Sequence, residues 1–192
     1  MLDASTVELN ELPYGLTRDH IRYAVSKTEE FFSIINTGLS DNACPKLHDI
    51  MSANGLSGMI SDLLILYISN FCPGLAKNTK IGGYPDLIPR DSYQSDSILK
   101  GGMGIEIKSS KSGRGWQGHN AEEGWFLAAK YDVNIKVQIT EIYLAQLNIE
   151  DWTYYGRKEN SRRTPTASIN KSGLKKLREN LIYHNGDKNG MA

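Results

Sequence analysis

Two acids and a lysine, each set in a short apolar run, carry the clearest chemistry in this sequence. Asp86 stands within Gly82-Gly83-Tyr84-Pro85-Asp86-Leu87-Ile88-Pro89, and Glu106 and Lys108 flank Ile107 in Met103-Gly104-Ile105-Glu106-Ile107-Lys108. Mg²⁺ is a hard cation held by one or two carboxylates, with waters and substrate phosphate oxygens in the remaining positions. The bound metal lowers the pKa of its water, and a nearby ammonium orients that water or offsets developing charge. Asp86 and Glu106 are therefore candidate metal-binding acids, the Ile107 carbonyl a further oxygen ligand, and Lys108 the catalytic amine. Mn²⁺ is expected to substitute for Mg²⁺. All of this requires the three side chains to converge.

Their positioning depends on strands. Met103 to Ser109 alternates, so Glu106 and Lys108 share the face away from Met103, Ile105 and Ile107, roughly 6–7 Å apart along the strand. Ile81 to Ile88 reads as a preceding strand, separated from it by a polar connection over 89–102. If the two pair as a hairpin-like unit, Asp86 comes opposite Glu106. Upstream, residues 1–76 read as helical. Thr17 caps a helix starting at Arg18, with Ile21, Ala24, Val25, Phe31, Phe32 and Ile35 on its inner side. Two shorter helices over 46–72 break near Gly55, and the second, Leu56 to Phe71, is apolar nearly all round. Downstream, a glycine-rich loop leads to an expected helix over 119–131. Strand-like runs follow at Ile135 to Leu147 and Trp152 to Tyr155, then an extended segment at Thr164 to Ile169, a basic helix from Lys171 to Tyr183 and a disordered end from Asn185. The fold class expected is α/β: a single domain, 1–192, with a central mixed β-sheet flanked by helices and a helical N-terminal third. Within it, 1–76 is a helical subregion, 80–145 the catalytic core and 151–184 a basic region.

The chain of 192 residues is 40% apolar and 23% charged, with a formal net charge of zero. That balance conceals an asymmetry. Residues 1–76 carry 4 basic and 9 acidic groups, and residues 151–192 carry 9 basic and 4 acidic. A basic end points toward polyanion contact. No run of 18 apolar residues suggests a membrane span, and the acidic start lacks a signal pattern, so a cytoplasmic location is expected. Cys44 and Cys72 are expected to be free, buried thiols.

At Pro85-Asp86 followed by Glu106-Ile107-Lys108, the sequence resembles the catalytic core of the PD-(D/E)XK nucleases, and in size and layout a type II restriction endonuclease. The resemblance covers about residues 80–145, taken as strand, strand, helix and strand. It implies a restriction-endonuclease-like fold and Mg²⁺-dependent, sequence-specific cleavage of double-stranded DNA to 5′-phosphate and 3′-hydroxyl ends. It also implies a homodimer, with Tyr154 and Tyr155 as exposed-aromatic candidates. Some members add an acid from an upstream helix, and Glu29, Glu30, Asp49 and Asp62 are open to that role.

Lys111, Arg114, Trp116, Gln117, His119 and Asn120 follow the catalytic strand and suit phosphate and base contact. Arg157, Lys158, Arg162, Arg163 and Lys171 lie near Trp152, Tyr154 and Tyr155 and suit phosphate contact. Of these, Lys111, Arg114, Gln117, His119, Asn120, Arg157, Arg162 and Arg163 are the expected DNA-binding residues. Glu122 and Glu123 read as acids favouring a helix N-terminus. The scattered histidines do not make an HNH nuclease, and no Walker, dinucleotide or nucleophile-elbow motif is present. Two alternatives stand beside restriction: a repair or structure-selective nuclease with the same core, and a non-catalytic DNA-binding or protein-interaction domain.

Overall fold

A computed structural model describes residues 12–113, 116–118, 120–155 and 166–186. The helical N-terminal part begins with α1 (Arg18–Asp41). Thr17 and His20 form a reciprocal cap: His20 N donates to Thr17 Oγ1 at 3.2 Å, and Thr17 N donates to His20 Nδ1 at 3.1 Å. Its buried residues Ile21, Ala24, Val25, Thr28 and Phe32 recur at helical spacing. The short α2 (Leu47–Ile50) and α3 (Ala53–Phe71) follow. They part at Met51-Ser52 rather than at Gly55, because Ser52 Oγ accepts from Gly55 N and caps the new helix. Arg90 closes the far end of α3, donating to the Ser69, Pro73 and Leu75 carbonyls.

The sheet comprises six strands in the order β1 (Leu75–Lys77), β2 (Leu87–Pro89), β3 (Ile105–Ser110), β5 (Gly124–Asp132), β6 (Gln138–Leu147) and β9 (Leu181–His184). Only β3 and β5 run parallel. A second, antiparallel sheet orders β4 (Gln117–Gly118), β8 (Thr166–Ile169) and β7 (Trp152–Tyr155). The amphipathic α4 (Lys171–Glu179) packs beside it. The protein is thus α/β, with a mixed sheet, flanking helices and a helical N-terminal portion.

Alternation divides the central sheet into two faces. Ile105, Ile107, Leu127, Ala129 and Tyr131 join the core formed with α1 and α3. Phe126, Ala128 and Ala145 join Trp116, Trp152, Ala167, Ile169 and Leu177, from the small sheet, its approaches and α4. Glu106 and Lys108 belong to this second face by the same alternation.

Several expectations change. The helix expected over 119–131 is not formed by its described residues, 120–131; β5 begins there at Gly124, and the strand–strand–helix–strand order is not kept. As a central strand β5 is covered on both sides, and such a continuous apolar run carries no period that separates it from a buried helix. The run Ile81 to Ile88 is a strand only at its end, and Ile81 is 95% exposed on a turn. The basic helix stops at Glu179, after which Leu181–His184 returns as an edge strand. Cys72 is buried but Cys44 is exposed, and both are free. Residues 187–192, part of the expected disordered end, lie outside the described residues. No helix among the described residues is long and apolar enough to cross a membrane.

Candidate active site

Strands β2 and β3 pair antiparallel at Leu87 and Ile105, which places Asp86 across from Glu106 one step along. The approach requires Gly104. It has φ +136, and a Cβ there would sit 2.1 Å from the Leu87 carbonyl oxygen. The two acids then hold each other through the backbone. Asp86 N donates to Glu106 Oε2 at 3.2 Å, and Ile107 N donates to Asp86 Oδ2 at 2.8 Å. In an antiparallel ladder the amide and carbonyl of one residue face the same neighbour, so the Ile107 carbonyl also turns toward β2. Lys108 Nζ donates to Glu106 Oε1 at 2.5 Å. The structure therefore brings Asp86, Glu106, Ile107 and Lys108 together.

Asn78 fixes the segment that carries Asp86. It is 7% exposed and uses both donors and its acceptor oxygen: Nδ2 donates to the Pro85 and Ile98 carbonyls at 2.9 Å each, and Oδ1 accepts from Lys80 N and Ile98 N at 3.1 Å each. Its backbone N also donates to the Asp86 carbonyl at 2.9 Å. A fully bonded buried amide costs little to keep and much to disrupt. Nothing in the local sequence distinguishes this asparagine from a turn former.

Burial, then the Glu106 charge, pushes the Asp86 carboxyl up to about 7. Burial works against the Lys108 ammonium, but Glu106, supported by Asp86 and Glu122, outweighs it and raises the pKa. Two facing carboxylates with only one ammonium between them leave room for further positive charge, and a pair of acids with a neighbouring carbonyl suits Mg²⁺. Among the described residues, no group of three or more His, Cys, Asp or Glu side chains is arranged to hold a metal ion.

Glu122 is the functional candidate that sequence reasoning misplaced. Without the expected helix, it sits on the approach to β5. Trp152 Nε1 donates to its carbonyl at 2.8 Å, and Tyr84 Oη donates to the next carbonyl, that of Glu123, at 2.7 Å. Its Oε2 is buried with no hydrogen-bond partner. Burial and then Glu106 raise its pKa, while Lys108 and Lys100 act in the opposite direction. The Tyr84 phenol is held protonated by burial and by Glu122, Glu106 and Asp86.

The helix-borne acids do not join the site, because α1 and α3 cover the opposite face of the sheet. Glu29 Oε1 accepts from Ile139 N, Glu30 pairs with Lys27, and Asp49 and Asp62 are exposed. Of the expected DNA contacts, Lys111, Gln117 and Asn120 are exposed around the turn after β3 and on β4. Arg114, His119, Arg157, Lys158, Arg162 and Arg163 lie outside the described residues. Trp116 is no contact residue: it is 2% exposed, and its Nε1 donates to the Ala129 carbonyl at 3.3 Å. Tyr154 is 55% exposed; the side chain of Tyr155 lies outside the described residues. No protein family, curated protein or solved structure matches this chain.

Proposed function

We propose that this protein is a Mg²⁺-dependent endonuclease for double-stranded DNA, sequence-specific in the manner of a type II restriction enzyme. The observation that carries the reading is the convergence of Asp86, Glu106 and Lys108 on one partly open sheet face. Mg²⁺, or Mn²⁺ in its place, would be held by Asp86, Glu106 and the Ile107 carbonyl, and when bound it supplies an activated water and charge stabilisation at the phosphate. Lys108, tethered to Glu106, orients the attacking water and balances charge as the phosphorus is attacked in line. Glu122 adds a third negative charge within electrostatic reach of Lys108. The nuclease resemblance supports 5′-phosphate and 3′-hydroxyl products and a homodimer in which each subunit cuts one strand. The exposed Tyr154 suits such an interface.

The test is digestion of a sequenced phage genome with Mg²⁺, followed by end sequencing. Discrete fragments with common termini are expected; a smear or junction-selective cutting would indicate a repair-type nuclease. One observation favours a non-catalytic reading: Lys108 already pairs closely with Glu106, as a purely structural ion pair would. DNA binding indifferent to EDTA, with no cutting in Mg²⁺ or Mn²⁺, would establish that alternative.

A further inference from the structure

The sheet face that carries Glu106 and Lys108 continues into a second polar site. A cavity of about 230 Å³ is lined by Ser112, Gly113, Lys130, Glu141, Tyr143 and Arg178. The strand register fixes its place. Lys108 pairs with Ala128 and Ser110 with Lys130; across β6, Ala128 faces Tyr143 and Lys130 faces Glu141. The cavity begins one pleat repeat beyond Lys108, roughly 6–7 Å along the strand.

Its walls are prearranged. Lys130 Nζ donates to Glu141 Oε1 at 2.8 Å, and Tyr143 Oη donates to Glu141 Oε2. Both oxygens of this acid are thus engaged, and it holds the lysine and tyrosine in place. Gly113 makes room for the lysine: a Cβ there would lie 2.9 Å from Lys130 Cδ. Arg178, exposed in the last turn of α4, forms no ion pair among the described residues. Lys175 and Lys176 on the same helix are paired with Glu179 and Asp151. Two cations against one acid leave the cavity at net +1, the complement of one phosphodiester. The volume is several times a water's share of about 30 Å³ and below the roughly 300–1,000 Å³ of whole-ligand pockets. It fits one small anionic group of a larger molecule.

We infer that this cavity seats a backbone phosphate of the DNA strand, with Arg178 as the direct contact and Lys130 as the second cation. The inference rests on the part of the proposed function that makes DNA the ligand. Phosphates recur about every 3.4 Å of helix axis on each strand, so the seated phosphate lies within a few nucleotides of the one at Asp86 and Glu106. Contacts of this kind set register and affinity rather than sequence choice.

The experiment is anisotropy of a labelled duplex in Ca²⁺, in place of Mg²⁺, across a salt series, with plasmid cleavage in Mg²⁺ run in parallel. Arg178→Gln is expected to weaken binding roughly tenfold on every duplex tested. It should also reduce the steepness of log K against log salt by about 0.9. Lys175→Gln, altering a cation already paired on the same helix, should leave the slope unchanged. Arg178 at a helix C-terminus also favours the helix dipole, but that role would move melting temperature and not the salt slope. Cleavage by wild type with an unchanged slope in Arg178→Gln overturns this site alone. Binding with the Arg178-dependent slope but no cleavage keeps the site and sinks the hydrolytic reading. Failure of wild type to bind any duplex overturns both.

Discussion

The backbone amide of Asp86 donates to Glu106 Oε2, while the Asp86 carboxylate accepts the amide of Ile107, the residue after Glu106. Each acid is therefore oriented by the backbone of the segment that carries the other: Glu106 by the residue leading into β2, and Asp86 by β3. This reciprocity brings two like charges close together in a largely buried place.

Asp86→Asn is expected to abolish Mg²⁺-dependent cleavage while raising the metal-free melting temperature, because it removes a repelling charge and keeps the shape. Lys108→Ala should also abolish cleavage but destabilise the fold by about 3 kcal/mol, since Glu106 is then left buried without its counter-ion. Plasmid digestion and thermal melts of the two variants check this. Full Mg²⁺-dependent cutting by purified Asp86→Asn protein would refute the site.

Proton linkage at Asp86 has a definite sign. Its folded pKa, about 7, lies above the ordinary 3.8, so between those values the folded state binds more protons than the unfolded state. Its contribution to metal-free stability is present below about pH 4 and is lost as pH rises through 7. Asp151 has the reverse sign. Although burial opposes its charge, the Asn148 amide, Lys176 and Ser172 lower its pKa, so its contribution is lost on acidification below the ordinary carboxylate range. Chemical denaturation across pH should show Asp86→Asn flattening the slope between about pH 4 and 7, and Asp151→Asn flattening only the acid limb. Mg²⁺ affinity should rise with pH up to about 7.

Asn78→Ala removes four side-chain hydrogen bonds around Asp86 and leaves buried carbonyls and amides unpaired. A cost of about 2–4 kcal/mol is expected from the lost partners, with the Mg²⁺ requirement for cleavage shifted upward more than the maximal rate falls. Denaturant melts and a Mg²⁺ titration of activity measure the two effects. An unchanged Mg²⁺ requirement would deny Asn78 its positioning role.

Gly104→Ala places a methyl against the Leu87 carbonyl at a φ that disfavours side chains. Strand β2 must then move away from β3. Loss of cleavage is expected with a drop of several degrees in melting temperature, whereas Gly102→Ala, where the space is open, should leave both unchanged.

Glu122→Gln is expected to weaken Mg²⁺ binding several-fold without abolishing cleavage, since it removes one charge of the site's field but no ligand. Calorimetric titration of Mg²⁺ in the two proteins tests this.

Residue types and spacing alone marked Asp86, Glu106 and Lys108 as candidates and showed the alternation that sets Glu106 and Lys108 on one face, because a strand's side-chain period of two is local. They also specified α1, whose cap at Thr17 and 3.6-residue apolar repeat are local signals. That 124–132 is a strand emerged only from the folded arrangement, since a segment covered on both faces loses the polar positions that would reveal its period. That strand leaves Glu122 on its approach rather than at a helix end, and the packing of the N-terminal helices on the opposite face keeps Glu29, Glu30, Asp49 and Asp62 away from the acid pair. Tertiary structure likewise selected Asn78 and Gly104, whose roles lie in contacts with Ile98 and Leu87. Those contacts exist only once distant parts of the chain have met.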